Sequence, residues 1–278
     1  MSEHLADKVV LVTGAASGFG RLIAQKCAVG GAKVVSTDVN ADALQEAVDE
    51  IRAKGGQALA RVVDVTDLAD LQSAVGHAVD TFGAVDVLVN NAGVMPLAYF
   101  ADHGRAWQRW HQAIDINIKG VVNGISAVYD QMMAQGRGHV VNISSIYGNG
   151  GVAGAGVYSA TKAAVAVLSD ALRVEAQGRI KVTTVKPTGV LGTNLATGVV
   201  NEMAIMELAG QHGAAFAQNL GNYFAGTMRT GQTDPDSPAY WVITPEELAD
   251  AVVAVIDQPW GICVSDVTVR ATGENYIR

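Results

Sequence analysis

Seven short apolar runs recur along the chain, at residues 8–12, 32–37, 58–63, 85–90, 139–144, 181–186 and 264–269. Each has the length of a strand and few polar interruptions, the pattern of strands covered on both faces. Between them the apolar positions shift to helical spacing. In residues 21–29, for example, Leu22, Ile23, Ala24 and Ala28 carry the apolar stripe. This alternation predicts an α/β architecture, a doubly wound parallel sheet of about seven strands with helices on both faces. No repeat, low-complexity stretch or linker divides the chain, so residues 1–278 read as one domain.

The pattern breaks at residues 194–243. This stretch is too long for an ordinary connection, so it is expected to be functional or to carry helices of its own. It holds Met203, Ile205, Met206, Leu208, Phe216, Leu220, Tyr223, Phe224 and Met228, with few charges. Residues 199–208 are read as one helix of it. Thr244-Pro245-Glu246-Glu247 then has the composition of a helix start. The apolar content fits a lid over a substrate; a helical pair that closes the core or an oligomer contact would have the same composition.

Chemistry enters at the turns. Between the first strand and the first helix lies Thr13-Gly14-Ala15-Ala16-Ser17-Gly18-Phe19-Gly20. Glycines there let the backbone turn tightly and approach a phosphate, and the helix N-terminus presents free N–H groups to it. Alone, such a loop is also a plain strand–helix connection. Asp38 ends the second run about 20 residues on, where a carboxylate accepts hydrogen bonds from an adenosine ribose and repels a 2′-phosphate. A lone Asp after a strand is otherwise a turn or cap residue. In this strand–loop–helix–strand context the two together favour NAD over NADP.

Tyr158 and Lys162 stand at i and i+4, on one face of a helix. A free phenol, with a pKa of about 10, is a poor base at neutral pH. A nearby ammonium favours the phenolate, as does the positive ring of an oxidised nicotinamide. The same spacing also occurs on plain solvated helix faces. Ser145 ends the fifth run, thirteen residues before Tyr158, where a hydroxyl could hold a substrate oxygen or simply make a turn.

With these motifs in order and in register, the chain resembles the short-chain dehydrogenase/reductase family from about residue 5 to residue 270. Thr13-Gly14-xxx-Gly18-x-Gly20 resembles its cofactor loop, in the spacing of the ordinary dehydrogenase branch. Asn90-Asn91-Ala92-Gly93 resembles the motif that ends the fourth strand. Asn117, Ser145, Tyr158 and Lys162 fit its catalytic tetrad.

The resemblance implies a Rossmann fold and a role for each residue. Tyr158 would be the acid/base, and Lys162 would lower its pKa and hold the nicotinamide ribose. Ser145 would orient the substrate oxygen, and Asn117 would hold a water leading from Lys162 to solvent. Gly14, Ser17, Gly18, Phe19, Gly20, Asn91 and Gly93 would line the cofactor, and Asp64-Val65 would meet the adenine. The family has Pro-Gly after the sixth strand and then an apolar-x-Thr step. Here Pro187-Thr188-Gly189-Val190-Leu191-Gly192-Thr193 is one residue longer, so Leu191 and Thr193 would cover the carboxamide.

The expected activity is NAD-dependent transfer of hydride between nicotinamide and an apolar, rather bulky secondary alcohol or ketone. The alternative is a non-catalytic dinucleotide-binding sensor, which would not need Ser145, Tyr158 and Lys162 together. A homodimer or homotetramer is implied by the family.

Charge and cysteine content exclude other classes. The formal net charge is −8, with no basic patch interleaved with aromatics, so nucleic acid is not an expected partner. No apolar run reaches membrane-spanning length and the first residues lack a signal core, so neither membrane nor secretion is expected. Cys27 and Cys263 are too few for a disulfide framework and lack metal-ligand spacing. No metal is expected, and the location read from these features is cytoplasmic.

Overall fold

The computed structural model describes residues 4–277. Seven strands form one sheet: β1 (Val9–Thr13), β2 (Lys33–Asp38), β3 (Gln57–Val62), β4 (Val87–Asn90), β5 (Gly138–Ile143), β6 (Ile180–Pro187) and β7 (Asp266–Val269). Every pairing is parallel, in the order β3-β2-β1-β4-β5-β6-β7. This is the doubly wound Rossmann arrangement that the apolar runs predict, with boundaries shifted by at most two residues.

The helices are α1 (Gly18–Val29), α2 (Ala41–Ala53), α3 (Leu68–Phe82), α4 (His103–Ile114), α5 (Gly120–Gln135), α6 (Gly156–Glu175), α7 (Ala204–Glu207), α8 (Gly213–Ala225) and α9 (Pro245–Ile256). Residues on successive strand positions point to opposite faces. Val10 and Val12 of β1 therefore pack with Ile23 and Cys27 of α1 and Leu248 and Val252 of α9. Val9 and Leu11 pack on the other face with Leu71 of α3, Met132 of α5 and Leu172 of α6. All five residues of β1 are buried. Each fully buried Val or Leu stabilises the fold by about 1.5–3 kcal/mol, so a sheet covered on both sides needs little help from its edges.

The expected helix over 199–208 is not continuous. Val199 is extended, and Asn201 makes a turn by accepting the Met203 N–H. The Val200 and Asn201 N–H groups donate to the Leu97 carbonyl instead of to a helical ladder. Only the four residues of α7 remain helical, between short 3₁₀ turns at Asn194–Gly198 and Gly210–His212. At Thr244 the start signal holds: its side chain accepts the Glu247 N–H while Glu247 bonds back to the Thr244 N–H.

His139 lies 1% exposed in β5, bonded to the Thr183 hydroxyl at 2.8 Å. Burial first, then the charges of Lys181 and Lys8, lower its pKa to about 3. An unfolded chain takes a proton there below about pH 6.5, whereas the folded chain does so only near pH 3. The unfolded state thus binds more protons in that window, and stability falls as pH drops through it. At most about 1.4 kcal/mol is lost per pH unit, so about 2 kcal/mol is gone by about pH 5. Urea midpoints for His139→Leu should lose less between about pH 7 and pH 5 than those of the parent protein.

Candidate active site

The order of strands reverses between β1 and β4, and the crevice beyond their carboxyl ends is where open α/β sheets bind ligands. A cavity of about 370 Å³ opens there. At its floor the glycine loop is held closed. Gly14 has φ +66°, and a Cβ on Gly20 would overlap the Gly14 carbonyl. Side chains are therefore excluded at both positions, and the turn stays tight enough for α1 to begin at Gly18. Ser17 caps α1 without a side-chain bond, so the first N–H groups of the helix are left for an anion.

Gly14, Ser17, Gly18, Phe19, Asp38, Asp64, Val65, Asn91, Gly93 and Thr193 line this cavity. Gly20 and Leu191 do not; Gly20 is packing and Leu191 faces the Phe216–Trp241 cluster. Asp38 is fixed by two backbone donors, the Ala16 N–H at 3.1 Å and the Asn40 N–H at 3.0 Å. Asn91 ties the end of β4 to the loop by donating its amide to the Thr13 and Gly14 carbonyls. A groove with free helix N–H groups at its floor and carboxylates at one end fits a dinucleotide, whose pyrophosphate the helix end would hold and whose ribose Asp38 would hold.

A second cavity, of about 70 Å³, joins the same region at Phe19, Asn91 and Gly93. Ser145, Tyr158 and Lys162 line it together. Tyr158 and Lys162 lie one turn apart on α6, both buried. The Ser144 hydroxyl donates to the Lys162 carbonyl at 2.8 Å and anchors that turn of α6 to the end of β5. Ser145 begins a 3₁₀ turn, Ile146–Asn149, with its oxygen accepting the Tyr147 N–H at 3.2 Å. Its own proton remains available to a bound oxygen.

The Lys162 ammonium donates to the Ile143 carbonyl at 2.8 Å and lies 5.9 Å from the Tyr158 ring. Burial lowers its pKa to about 8. The Tyr158 phenol moves the other way: burial raises it to about 12, with the Ser145 hydroxyl opposing the shift. The lowering expected from the ammonium is not found in the protein alone: the cost of taking a phenolate out of water dominates, and only the Ser145 hydroxyl opposes it.

Asn117 stands in a π turn, Asp115–Lys119, between α4 and α5. Both its amide donors are taken, by the Val94 carbonyl at 2.9 Å and the Thr161 hydroxyl at 3.0 Å, and its oxygen accepts the Val94 N–H. It locks the loop after β4 to α6, and lines neither cavity.

Residues 8–204 match the family model for short chain dehydrogenases. The chain belongs to that family. An oxidoreductase of Listeria monocytogenes, Lmo0432, is 33% identical over 275 residues, covering 98% of this chain and 99% of its own. The 2,5-dichloro-2,5-cyclohexadiene-1,4-diol dehydrogenase LinX of Sphingobium indicum is 39% identical over 191 residues, 68% of this chain and 76% of its own. Among solved structures, a 7α-hydroxysteroid dehydrogenase complexed with NADH and 7-oxo glycochenodeoxycholic acid superposes with TM-score 0.79 at 25% identity, covering 100% of this chain and 98% of that one. Solved neighbours are complexed with NADH, NAD or NADP, and this chain is an oxidoreductase of the short-chain dehydrogenase family.

Beyond the motifs, the chain has a contact that sequence reasoning missed. The segment after β7 turns back onto residues 240–241. Gly273 N–H bonds the Tyr240 carbonyl, and Asn275 accepts the Trp241 indole N–H, both at 2.8 Å. The Tyr276 ring then fills the space beside Gly189 and packs on Phe216 and Tyr147. Nothing local in residues 273–277 signals this, since the partners lie far away in sequence. No helix among the described residues is long and apolar enough to cross a membrane. No group of three or more His, Cys, Asp or Glu among them could hold a metal ion.

Proposed function

We propose that the chain is an NAD-dependent dehydrogenase interconverting an apolar secondary alcohol and its ketone. The meeting of Ser145, Tyr158 and Lys162 in one cavity bordering the dinucleotide groove carries this reading. A bound oxidised nicotinamide supplies the hydride acceptor and a positive ring near the phenol. Ser145 donates to the substrate oxygen, Tyr158 exchanges the proton with it, and Lys162 holds the cofactor ribose and favours phenolate. Asn117 keeps the loop and α6 in register for both. Asp38 supports NAD rather than NADP, since its carboxylate is already anchored where a 2′-phosphate would sit.

Residues 194–243 act as the substrate lid of this one domain. Three links support it: the Val200 and Asn201 N–H bonds to Leu97, the Asn201 amide to Asp102 at 2.8 Å, and the Tyr99 hydroxyl to Glu207 at 3.0 Å. These bonds clasp the segment to the loop after β4. The cavity beside Tyr158 holds only about 70 Å³ with the clasp closed, so a bulky substrate requires the clasp to open. A homodimer or homotetramer accords with the exposed Val167 and Val174 of α6.

The test is NAD reduction across secondary alcohols graded by size. Each added CH₂ that leaves water on binding is worth about 0.8 kcal/mol, so kcat/KM should rise several-fold per group until the pocket fills. Met206→Ala and Tyr276→Ala should flatten the rise without changing NAD binding. If the series shows no size preference and these variants instead dissociate on size-exclusion chromatography, the segment is an oligomer contact and not a lid.

A further inference from the structure

The segment 194–243 has a small core of its own, and the chain end completes it. Ala209, Phe216, Trp241 and Val242 are buried together, and the Tyr276 ring packs on them, 5.3 Å from Phe216 between ring centres. The strap that carries this ring, residues 273–277, is bonded to the segment along its length. The Gly273 N–H donates to the Tyr240 carbonyl, and the Ile277 N–H donates to the Leu208 carbonyl at 3.4 Å. Between them the Asn275 side-chain oxygen accepts the Trp241 indole N–H at 2.8 Å and the Asn219 amide at 3.2 Å.

The Tyr276 ring also meets the turn that carries Ser145. Tyr147 lies two residues after Ser145 and is buried in one apolar cluster with Tyr158, on which Tyr276 packs. The Tyr147 ring meets Tyr276 edge-on at 6.4 Å, and its hydroxyl donates to the Leu208 carbonyl at 2.7 Å. Catalytic turn and strap therefore share one acceptor on the segment. The fit is close on a third side. Gly189 lies between Thr188 and Val190, which line the small cavity, and a Cβ there would overlap the Tyr276 ring and hydroxyl. A rigid ring packed on all these sides passes any displacement of one wall to the others.

We propose that Tyr276 is a positioning residue that couples the lid to the Ser145 turn, so that the chain end sets how closely the lid seats over substrate. This rests on the lid reading above and adds what holds the lid in place.

Gly189→Ala tests the coupling without touching the strap. Its methyl displaces the ring from between Tyr147 and Phe216, whereas in Tyr276→Ala the ring it would overlap is gone. NAD reduction is followed over secondary alcohols from isopropanol to cyclooctanol. Each single variant should raise the KM for cyclooctanol about fivefold to tenfold, more than it raises the KM for isopropanol or lowers kcat. The double variant should be no worse than Tyr276→Ala alone, and Tyr276→Phe, which keeps the ring, should match the parent. Asn275→Ala unties the strap from Trp241 and Asn219 and should give the same pattern, which keeps the test decisive if Tyr276→Ala folds poorly. Trypsin supplies a readout that needs no substrate, because Arg229 is the one Lys or Arg between residues 194 and 243. Under native conditions both single variants should be cut there several-fold faster than the parent, and the double variant no faster than Tyr276→Ala. Additive effects of the two substitutions, losses equal for all alcohols, or parent-like behaviour of Tyr276→Ala overturn the proposal. If trypsin shows the coupling but the parent has no preference for larger alcohols, the lid reading falls, and the substrate role of Tyr276 with it.

Discussion

Tyr158→Phe should lower turnover at least about 10²-fold, the scale of general acid–base catalysis, while changing NADH affinity little. The phenol is 4% exposed and has its pKa raised to about 12 by burial, so the protein holds it protonated at neutral pH. A protonated phenol is the form that ketone reduction consumes. Reduction should therefore stay nearly flat between about pH 6 and pH 7, below the Lys162 pKa of about 8, while alcohol oxidation, which needs phenolate, should climb with pH over the same range. Steady-state rates in both directions on the parent and the variant check both statements. Lys162→Ala should damage turnover and cofactor affinity together, because its ammonium reaches both the Ile143 carbonyl and the space by Gly93. A Tyr158→Phe enzyme with near-normal rates would remove Tyr158 from the chemistry.

Cofactor choice should turn on two adjacent residues. Asp38 closes β2 and Val39 follows it, 67% exposed on the same cavity wall. Two like charges about 5 Å apart repel by about 3 kcal/mol at an effective dielectric of about 20, which is on the order of 10²-fold in affinity. The parent protein should accordingly prefer NAD over NADP by about that factor in kcat/KM. Asp38→Asn with Val39→Arg removes the repulsion and supplies a guanidinium for the 2′-phosphate, and should move the preference toward NADP. Equal kinetics with both cofactors in the parent protein would leave Asp38 without this role.

Local patterns set the elements of this protein. Residues 8–12 had to hold a strand buried on both faces, because four apolar side chains in a row, Val9 to Val12, leave no face for water. Gly14, Gly18 and Gly20 fixed a tight entry into α1, and Tyr158 and Lys162 fixed a shared helical face, because both depend only on neighbours a few residues away. Tertiary structure decided what those groups experience. Burial, not the nearby ammonium, dominates the Tyr158 pKa, and burial depends on residues such as Leu97 and Leu208 that no local pattern brings near it. Asn117 spends its amide on Val94 and Thr161, a bond across 44 positions. The continuous helix expected over 199–208 gave way because Leu97 took its first donors. Packing set Thr188 on the cavity that Tyr158 lines and Thr193 near Gly18, and the chain after β7 returned to lay Tyr276 against Gly189. Periodicity is a property of consecutive residues, whereas pocket walls and desolvation come from packing distant ones, and only the folded chain brings those together.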